Sequence, residues 1–119
     1  MIYLNSSNKS EYGEILTRLI KERKMTQEYF YNKLGIAKPY FYDIIKGKIN
    51  PPPPETQIRI INILKPQKND EKKLLDIAAK TRDEIQADIF LYLKCNESII
   101  EKIRNDTEYK KFMGGIIDE

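Results

Sequence analysis

The segment 26–47 constrains the fold of this chain more than any other, because it predicts two short helices joined by a tight turn. Its sequence is TQEYFYNKLGIAKPYFYDIIKG. Thr26 is a suitable N-cap for the first helix, and Gly35 stands where a left-handed residue ends a helix. Pro39 fits the first turn of the second helix, where no intrahelical bond needs a backbone amide, and Gly47 ends that helix. Two helices of about two turns with a glycine between them are typical of a helix-turn-helix unit.

Apolar residues recur at helical spacing within this segment and on both sides of it. The two short helices would bury Phe30 and Leu34, then Phe41, Ile44 and Ile45. Before them, a helix is predicted over 10–24 with Ser10 as N-cap, and its apolar face is Tyr12, Ile15, Leu16, Leu19 and Ile20. After them, the prolines at 51–54 predict a rigid connector into a fourth helix, whose apolar stripe is Ile58, Ile60, Ile61, Ile63 and Leu64. The Lys65-Pro66 pair should end that helix.

Segment 26–47 resembles the helix-turn-helix of the Cro- and lambda-repressor-like (Xre-type) regulators of bacteria and phages. The family pattern has Ser/Thr-Gln-Glu, a Leu or Val, a Gly-apolar-Ser turn, and a second helix that ends in Gly. The positions that match are Thr26, Gln27, Glu28, Phe30, Leu34, Gly35, Ile36, Phe41, Ile44 and Gly47. Residues 12–25 are similar to the family's first helix, so the resemblance covers 10–65. It implies an all-α fold: a lambda-repressor-like helix-turn-helix bundle over 10–65, followed by a short C-terminal helical extension.

The chain departs from the family at two places in the predicted core. Tyr31 stands where the family prefers Ala, so we expect its side chain to point aside or to push the two helices apart. The family often pairs an Arg near the end of its first helix with a Glu late in the recognition helix. Those positions are Ile20 and Ile45 here. We therefore expect a hydrophobic contact in place of the ion pair, an exchange that can be neutral or stabilising.

Composition removes several functional classes. The 119 residues include no histidine and one cysteine, Cys95. Without histidine the chain lacks the commonest general base and the usual zinc-finger ligand sets, and it has no phosphate-cradling glycine loop, so we expect no enzyme and no cofactor. Asp83, Glu84 and Asp88 could support carboxylate catalysis or a metal, but a solvated helix start explains them better. The lone cysteine, with no signal-peptide pattern and no span of eighteen apolar residues, predicts a cytoplasmic location.

Charge is distributed unevenly along the chain. The net charge is +3, but residues 1–65 contain eleven Lys and Arg against six Asp and Glu, whereas residues 66–119 contain ten against twelve. The first half therefore has a net charge of +5 and the second half of −2. The basic half is the half that contains segment 26–47, as a surface facing phosphates requires.

The C-terminal half predicts short helices of limited apolar content. A polar hinge at 66–70 leads to a helix capped by Asn69 or Asp70, with Leu74, Leu75, Ile77 and Ala78 on its inner face. After a break at 81–83, further helices follow, the last of them capped by Asn96. The run LLDIAAKTRDEIQADIFLYLKCN resembles an extension found in some Xre-type regulators. We expect residues 69–106 to form a dimerisation extension, residues 107–119 to be a flexible tail, and residues 1–9 to be an arm that packs on the body or reaches DNA.

The leading hypothesis is a sequence-specific double-stranded DNA-binding transcriptional regulator, a repressor by resemblance, that acts as a homodimer on a near-palindromic operator. By resemblance, the residues that contact DNA are Thr26, Gln27, Lys38, Pro39, Tyr40, Tyr42, Asp43, Lys46, Lys48 and Asn50. The extension has more apolar residues than one layer of short helices can bury within a single chain. We therefore predict a dimer contact through Ile85, Ile89, Tyr92, Leu93, Ile99, Ile100 and Ile103.

Three other functions fit parts of the sequence. The chain could be a partner-binding protein, such as an antitoxin or a mobile-element accessory factor, whose C-terminal helices bind a second protein and whose DNA binding is autoregulatory. The aromatic residues at 29–31 and 40–42 could stack bases of single-stranded nucleic acid, although core packing explains the phenylalanines better. The prolines at 51–54 could be a ligand for an SH3-like groove, although a connector into a helix explains them better.

Overall fold

The computed structural model describes residues 9–117, and every regular element in that range is an α-helix. The eight helices are α1 Glu11–Glu22, α2 Gln27–Leu34, α3 Lys38–Lys46, α4 Pro54–Leu64, α5 Lys68–Arg82, α6 Ala87–Lys94, α7 Glu97–Arg104 and α8 Thr107–Ile117. The predicted all-α class is confirmed. The predicted arm at 1–9 lies outside the described residues except for Lys9.

The first three helices begin and end at the residues that the sequence indicated, with one small difference. The hydroxyl oxygen of Ser10 accepts the Gly13 amide at 3.0 Å, and that of Thr26 accepts the Tyr29 amide at 3.0 Å. Gly35 and Gly47 end α2 and α3 with φ of 81° and 75°, in the left-handed region. Helix α1 ends at Glu22, before the predicted 24, because Lys24 also has a positive φ of 58°.

The core lies between α1, α2, α3 and α4, and α5 closes it. Tyr31 does not point aside: it is 8% exposed, and its ring centroid lies 5.4 Å from that of Phe41. Phe41 in turn lies 5.9 Å from Phe30, so three aromatic rings fill the space between α2 and α3. Ile20 and Ile45 are both buried in this core. Their burial agrees with the expected hydrophobic contact in place of an ion pair.

The prolines lead into α4 as predicted, but α4 is rotated from the predicted position. Pro51 and Pro52 are buried, which explains this run as part of the fold. Gln57 is also buried, and its Nε2 donates to the carbonyl of Pro52 at 2.8 Å. The core face of α4 is therefore Gln57, Ile60 and Leu64, whereas the predicted residues Ile58, Ile61 and Ile63 are only half-buried. A helix that is apolar on most sides does not reveal its rotation, and here the polar residue Gln57 lies on the buried side.

Helix α5 starts at least two residues earlier than the predicted caps allow. Gln67 holds the N-cap position, so neither Asn69 nor Asp70 caps the helix. Asp70 instead accepts a hydrogen bond from Arg18 of α1, with Nη2 and Oδ1 2.7 Å apart. Leu74 and Ala78 enter the same core as α1. Helix α5 therefore shares the core of the first four helices, although the extension was predicted to begin at residue 69. That domain boundary stays a prediction.

The last two helices extend away from this core. Helix α6 packs against α4, α7 against α6, and α8 against α7, and within the described residues α7 buries no side chain fully. The described chain measures 55 × 29 × 25 Å, with a radius of gyration of 17.7 Å. A compact domain of this length would have a radius of about 13–14 Å. None of the helices in residues 9–117 is long and apolar enough to cross a membrane.

Most of the tail predicted at 107–119 is helical, because residues 107–117 form helix α8, and its flexibility stays a prediction. The sequence-based prediction gave too much weight to Gly114 and Gly115, each of which disfavours a helix by about 1 kcal/mol relative to Ala. It also missed an N-terminal cap. The carboxylate of Asp106 accepts the Tyr109 amide at 3.1 Å. Residues 118 and 119 lie outside the described residues.

Candidate nucleic-acid interface

Helix α3 buries one face and presents the other to solvent. Phe41, Ile44 and Ile45 face the core, so the remaining positions define the outer surface. Lys38 and Pro39 are exposed at its amino end. The residues predicted beside them, Tyr40, Tyr42 and Asp43, are half-buried at the edges of this surface. The residues that follow, Lys46, Lys48 and Asn50, are all exposed.

A hydrogen bond ties the outer surface of α3 to the start of α2. The phenolic OH of Tyr42 donates to Oε1 of Gln27, with the two oxygens 3.0 Å apart. The Tyr42 ring is held on its other side by Phe41, at a centroid distance of 5.2 Å in an edge-on arrangement. Gln27 is therefore oriented by Tyr42 through its Oε1 atom, and its Nε2 amide group takes no part in this hydrogen bond. Thr26 is exposed beside it, as the cap of α2.

Two arginines hold helix ends behind this surface, and the sequence revealed neither contact. Arg59 of α4 donates to the carbonyl of Leu34, at the carboxyl end of α2. Arg23 donates to the carbonyls of Leu64 and Lys65, at the carboxyl end of α4. Both arginines satisfy carbonyls that have no intrahelical partner, so they fix helix positions instead of facing solvent ligands.

An open groove along α1 continues the surface beyond Gln27. Its volume is about 730 Å³, and it lies beside the start of α2. The charged residues that line it are Lys9, Glu14, Arg18, Lys21 and Lys24. Four of the five are cations, so this groove is basic and adjoins the predicted DNA-contacting residues. The sequence does not reveal this groove, because the pattern of α1 shows only that its charged residues face water.

The carboxylates whose pKa is shifted lie away from α3. Hydrogen bonds from Arg18 and Lys72 lower the pKa of Asp70 and Asp76, respectively, and a hydrogen bond from Arg82 lowers the pKa of Glu84. Burial raises the pKa of the Tyr12 phenol, and nearby Tyr40 raises it further. Asp70, Asp76 and Glu84 are therefore each paired with a cation of this chain.

The acidic cluster considered from sequence, Asp83, Glu84 and Asp88, does not form a metal-binding group. Arg82 binds both carboxylate oxygens of Glu84, at 2.8 and 3.1 Å. Among the described residues, no three Asp, Glu, Cys or His side chains are grouped so that they could hold a metal ion.

The predicted dimer residues lie on α6 and α7 or directly before them. Ile85, Ile89, Tyr92 and Ile103 are exposed, and Leu93, Ile99 and Ile100 are half-buried. The structure therefore brings them to two adjacent helices outside the main core. Phe90 is also exposed there, and Phe112 and Ile116 are exposed on α8.

Comparison with protein-family profiles, with curated proteins and with solved structures gives no match to this chain. The functional interpretation therefore depends on the residues of the surface and on their geometry.

Proposed function

We propose that this chain is a sequence-specific double-stranded DNA-binding regulator of the Xre type, acting as a homodimeric repressor on a near-palindromic operator. The observation that carries the proposal is the arrangement of α2 and α3. A short helix with a polar outer surface is held on a second short helix by a buried aromatic cluster, a left-handed Gly35 and the Tyr42–Gln27 hydrogen bond. Such a helix can enter the major groove, while the preceding helix crosses the backbone.

The outer surface of α3 has side chains of the kinds that read base edges. Lys38 is a donor suited to guanine O6 and N7, and it is exposed at the amino end of α3, where a recognition helix meets the bases. Pro39, beside it, can make only an apolar contact, such as that with a thymine methyl group. Asp43 can accept from a cytosine amino group, or it can act only to repel other sequences. Tyr40 and Tyr42 border these residues and contribute aromatic surface.

Residues on both sides of this surface would contact the phosphate backbone. Thr26 and Gln27 stand at the amino end of α2, where backbone amides and the helix dipole favour an anion. Lys46, Lys48 and Asn50 follow α3 and are exposed. Their contacts would fix the register of α3 on the duplex without carrying sequence information.

Two copies are needed for tight binding, because one recognition helix reads only a few base pairs. The exposed apolar residues of α6 and α7 are the surface that we assign to this contact. Of the nine large apolar side chains that are exposed within residues 9–116, seven lie at or after Ile85. Such a concentration is typical of an interaction site.

The proposal is tested by selecting bound duplexes from a random DNA pool and sequencing them. A regulator of this type should enrich a two-fold symmetric sequence whose half-sites are about one helical turn apart. The enriched duplex should bind far more tightly than a scrambled duplex at the same salt concentration. Recovery of no shared sequence, together with equal affinity for both duplexes, would contradict sequence-specific binding.

The same exposed apolar residues also favour the second candidate, a partner-binding protein whose DNA binding is autoregulatory. In that case the surface of α6 to α8 would bind a different polypeptide. Purification of the full chain from its native cells, followed by mass spectrometry, separates the two candidates. A stoichiometric second protein would favour the partner-binding function, and a homodimer alone would favour the regulator.

A further inference from the structure

The basic groove along α1 contains two exposed lysines that no carboxylate neutralises. The arginine of the groove, Arg18, is already paired with Asp70 at 2.7 Å and with Glu22 at 3.1 Å. Lys21 and Lys24 are exposed, and neither belongs to an ion pair within residues 9–117. These two lysines can therefore bind an anion without losing an existing ion pair.

Lys24 has an unusual backbone conformation for a lysine. It lies in the turn between α1 and α2 with φ of 58°, in the left-handed region where glycine is favoured and a β-carbon is strained. Lys65 and Asp83 share this conformation, but neither of them lines the groove. Strained residues of this kind concentrate at sites that bind ligands. At Lys24 the strain coincides with a cation at the edge of a basic groove.

The groove is continuous with the surface to which DNA contacts are assigned. Gln27 lines the groove, and its Oε1 accepts the hydrogen bond from Tyr42 on the outer surface of α3. Lys24 precedes Gln27 by three residues. When a recognition helix occupies the major groove, the helix before it crosses the sugar-phosphate backbone. A strand that passes the amino end of α2 is therefore brought to the groove of α1.

We propose that this groove binds the DNA phosphates that flank the half-site, with Lys21 and Lys24 as the contacting residues. The footprint of each copy is then longer than the base pairs that α3 reads. Because phosphate contacts are independent of base sequence, these lysines raise the affinity for every duplex and leave the preferred operator unchanged. The inference rests on the DNA binding of the proposed function, and it adds a contact surface that the proposed function leaves unassigned.

The first experiment is Lys24→Gly, which removes the cation and the left-handed strain together. The urea midpoint should stay the same or rise, because glycine adopts this conformation freely. Binding to the operator and to a scrambled duplex should weaken alike, and the logarithmic salt slope should become shallower by about one unit for each bound copy. Fluorescence anisotropy at several salt concentrations measures both. A loss of affinity without a loss of stability separates a DNA contact from a structural role.

Lys65→Gly is the matched control for this variant. Lys65 is also an exposed lysine with a positive φ, 44°, but it stands at the end of α4. The control changes the net charge by the same amount and should keep the affinity and the salt slope of the wild type. An equally shallow slope in both variants would reduce the effect to net charge. That result, or a wild-type slope in Lys24→Gly, would overturn the assignment of Lys24.

The second experiment locates the phosphates by ethylation interference on the operator. Ethylation removes the charge of one phosphate, and the wild type should bind poorly when the phosphates just outside the half-site are ethylated. In the double variant Lys21→Ala with Lys24→Ala, the same ethylation should cause no further loss, because the partner charges are already absent. Lys46→Ala identifies in the same way the phosphates beside the end of α3, and these should stay sensitive in the double variant. Equal flanking sensitivity of the wild type and the double variant, or none in the wild type, would contradict the groove contact.

Glu14 allows a test of the opposite sign, because its carboxylate lines the groove. Glu14→Gln removes a charge that repels phosphates, so affinity for all duplexes should rise by roughly two- to fivefold, in keeping with exposed charges. Glu97→Gln is the control, since Glu97 is likewise an exposed glutamate in the first turn of a helix, but on α7. It should leave the affinity unchanged. Unchanged or weaker binding by Glu14→Gln would place the DNA away from this groove.

Two results distinguish a failure of the groove contact from a failure of the proposed function. A wild-type chain that selects no operator contradicts the proposed function, and the groove contact with it. A wild-type chain that binds its operator, while Lys24→Gly and the double variant keep the wild-type salt slope, contradicts the groove contact alone.

Discussion

The carbonyl of Ile45 lies against Gly13 so closely that a β-carbon at residue 13 would stand 2.1 Å from the carbonyl oxygen. The same oxygen accepts the backbone amide of Ser10 at 2.9 Å and its hydroxyl at 3.2 Å. The amino end of α1 and the carboxyl end of α3 are therefore joined backbone to backbone. Because only glycine allows this approach, Gly13 helps to set the direction in which α3 presents its outer surface.

Gly13→Ala should destabilise the fold, because the neighbouring atoms are backbone and cannot turn away. Overpacking of this kind costs about 1–3 kcal/mol, and we expect the loss in a urea unfolding curve. The matched control is Gly114→Ala in α8, where no atom lies within 4 Å of the added β-carbon. That change should leave the midpoint unchanged or raise it, because Ala favours a helix over Gly. Equal effects of the two variants would show that α1 and α3 can separate.

The hydrogen bond between Tyr42 and Gln27 should make these two residues act together in DNA binding. Tyr42→Phe keeps the ring beside Phe41 but frees Gln27, and we expect a loss of about 1 kcal/mol in operator affinity. Gln27→Ala should cost a similar amount, and the double variant should cost less than the sum. Tyr29→Phe, which removes a hydroxyl from an exposed ring on α2, is the control and should have no effect. Strictly additive losses at Tyr42 and Gln27 would show that Tyr42 does not position Gln27.

Lys38 and Lys46 should affect DNA binding in different ways, because the proposed function assigns Lys38 to the bases and Lys46 to a phosphate. Lys38→Ala should cost about 1–3 kcal/mol on the best operator and relax the preference at one base pair. Lys46→Ala should weaken binding to all sequences alike and make the logarithmic salt slope shallower by about one unit. Fluorescence anisotropy at several salt concentrations measures both. Equal, sequence-independent losses would mean that Lys38 does not read bases.

Arg23 should matter for stability and not for DNA affinity, because its guanidinium is used at the end of α4. Arg23→Ala leaves the carbonyls of Leu64 and Lys65 without that donor, and we expect a loss of about 1–2 kcal/mol in the free energy of unfolding. Lys21→Ala, at an exposed position of α1, should change it by less than about 0.5 kcal/mol. The salt slope of DNA binding should be unchanged in Arg23→Ala. A shallower slope would mean that Arg23 contacts the DNA backbone.

The sequence predicted the structural features that depend on residues close together in the chain. The caps at Ser10 and Thr26 and the helix ends at Gly35 and Gly47 depend on a few consecutive residues, so patterns of caps and glycines were sufficient. The inner face of α1 followed from periodicity, because its polar and apolar sides are distinct. In the candidate site, the same patterns placed Lys38 and Pro39 correctly at the exposed amino end of α3.

What the sequence did not predict depends on residues far apart in the chain. Arg23 and Arg59 contact carbonyls 41 and 25 residues away, and no local pattern marks them. The rotation of α4 depends on the bond of Gln57 to Pro52, since isoleucines surround most of that helix. Helix α8 was missed because a glycine pair was read as a helix breaker, although Asp106 caps the helix and α7 supports it.

The contact between Arg18 and Asp70 should make stability depend on pH in acid. The hydrogen bond from Arg18 lowers the pKa of Asp70 below its ordinary value of 3.8, and the positive charge lowers it further. Because the folded pKa lies below the unfolded one, this stabilisation is fully present above pH 4 or so and is lost as the pH falls through the folded pKa. Hydrogen bonds to Asp70 and Glu22 raise the pKa of Arg18 above its ordinary value, which already lies far above this range, so Arg18 stays charged throughout.

Asp70→Asn should therefore lower the thermal midpoint at pH 6, and the difference from the wild type should shrink steadily on acidification to about pH 2. Thermal unfolding followed by circular dichroism at closely spaced pH values measures this convergence. The background variant Arg18→Ala supplies the control, because without the guanidinium the same Asp70→Asn change should no longer give a difference that depends on pH in this way. If the difference between Asp70 and Asn persists undiminished at pH 2, the contribution of Asp70 does not depend on its charge, and α5 is held to α1 by the packing of Leu74 and Ala78 alone.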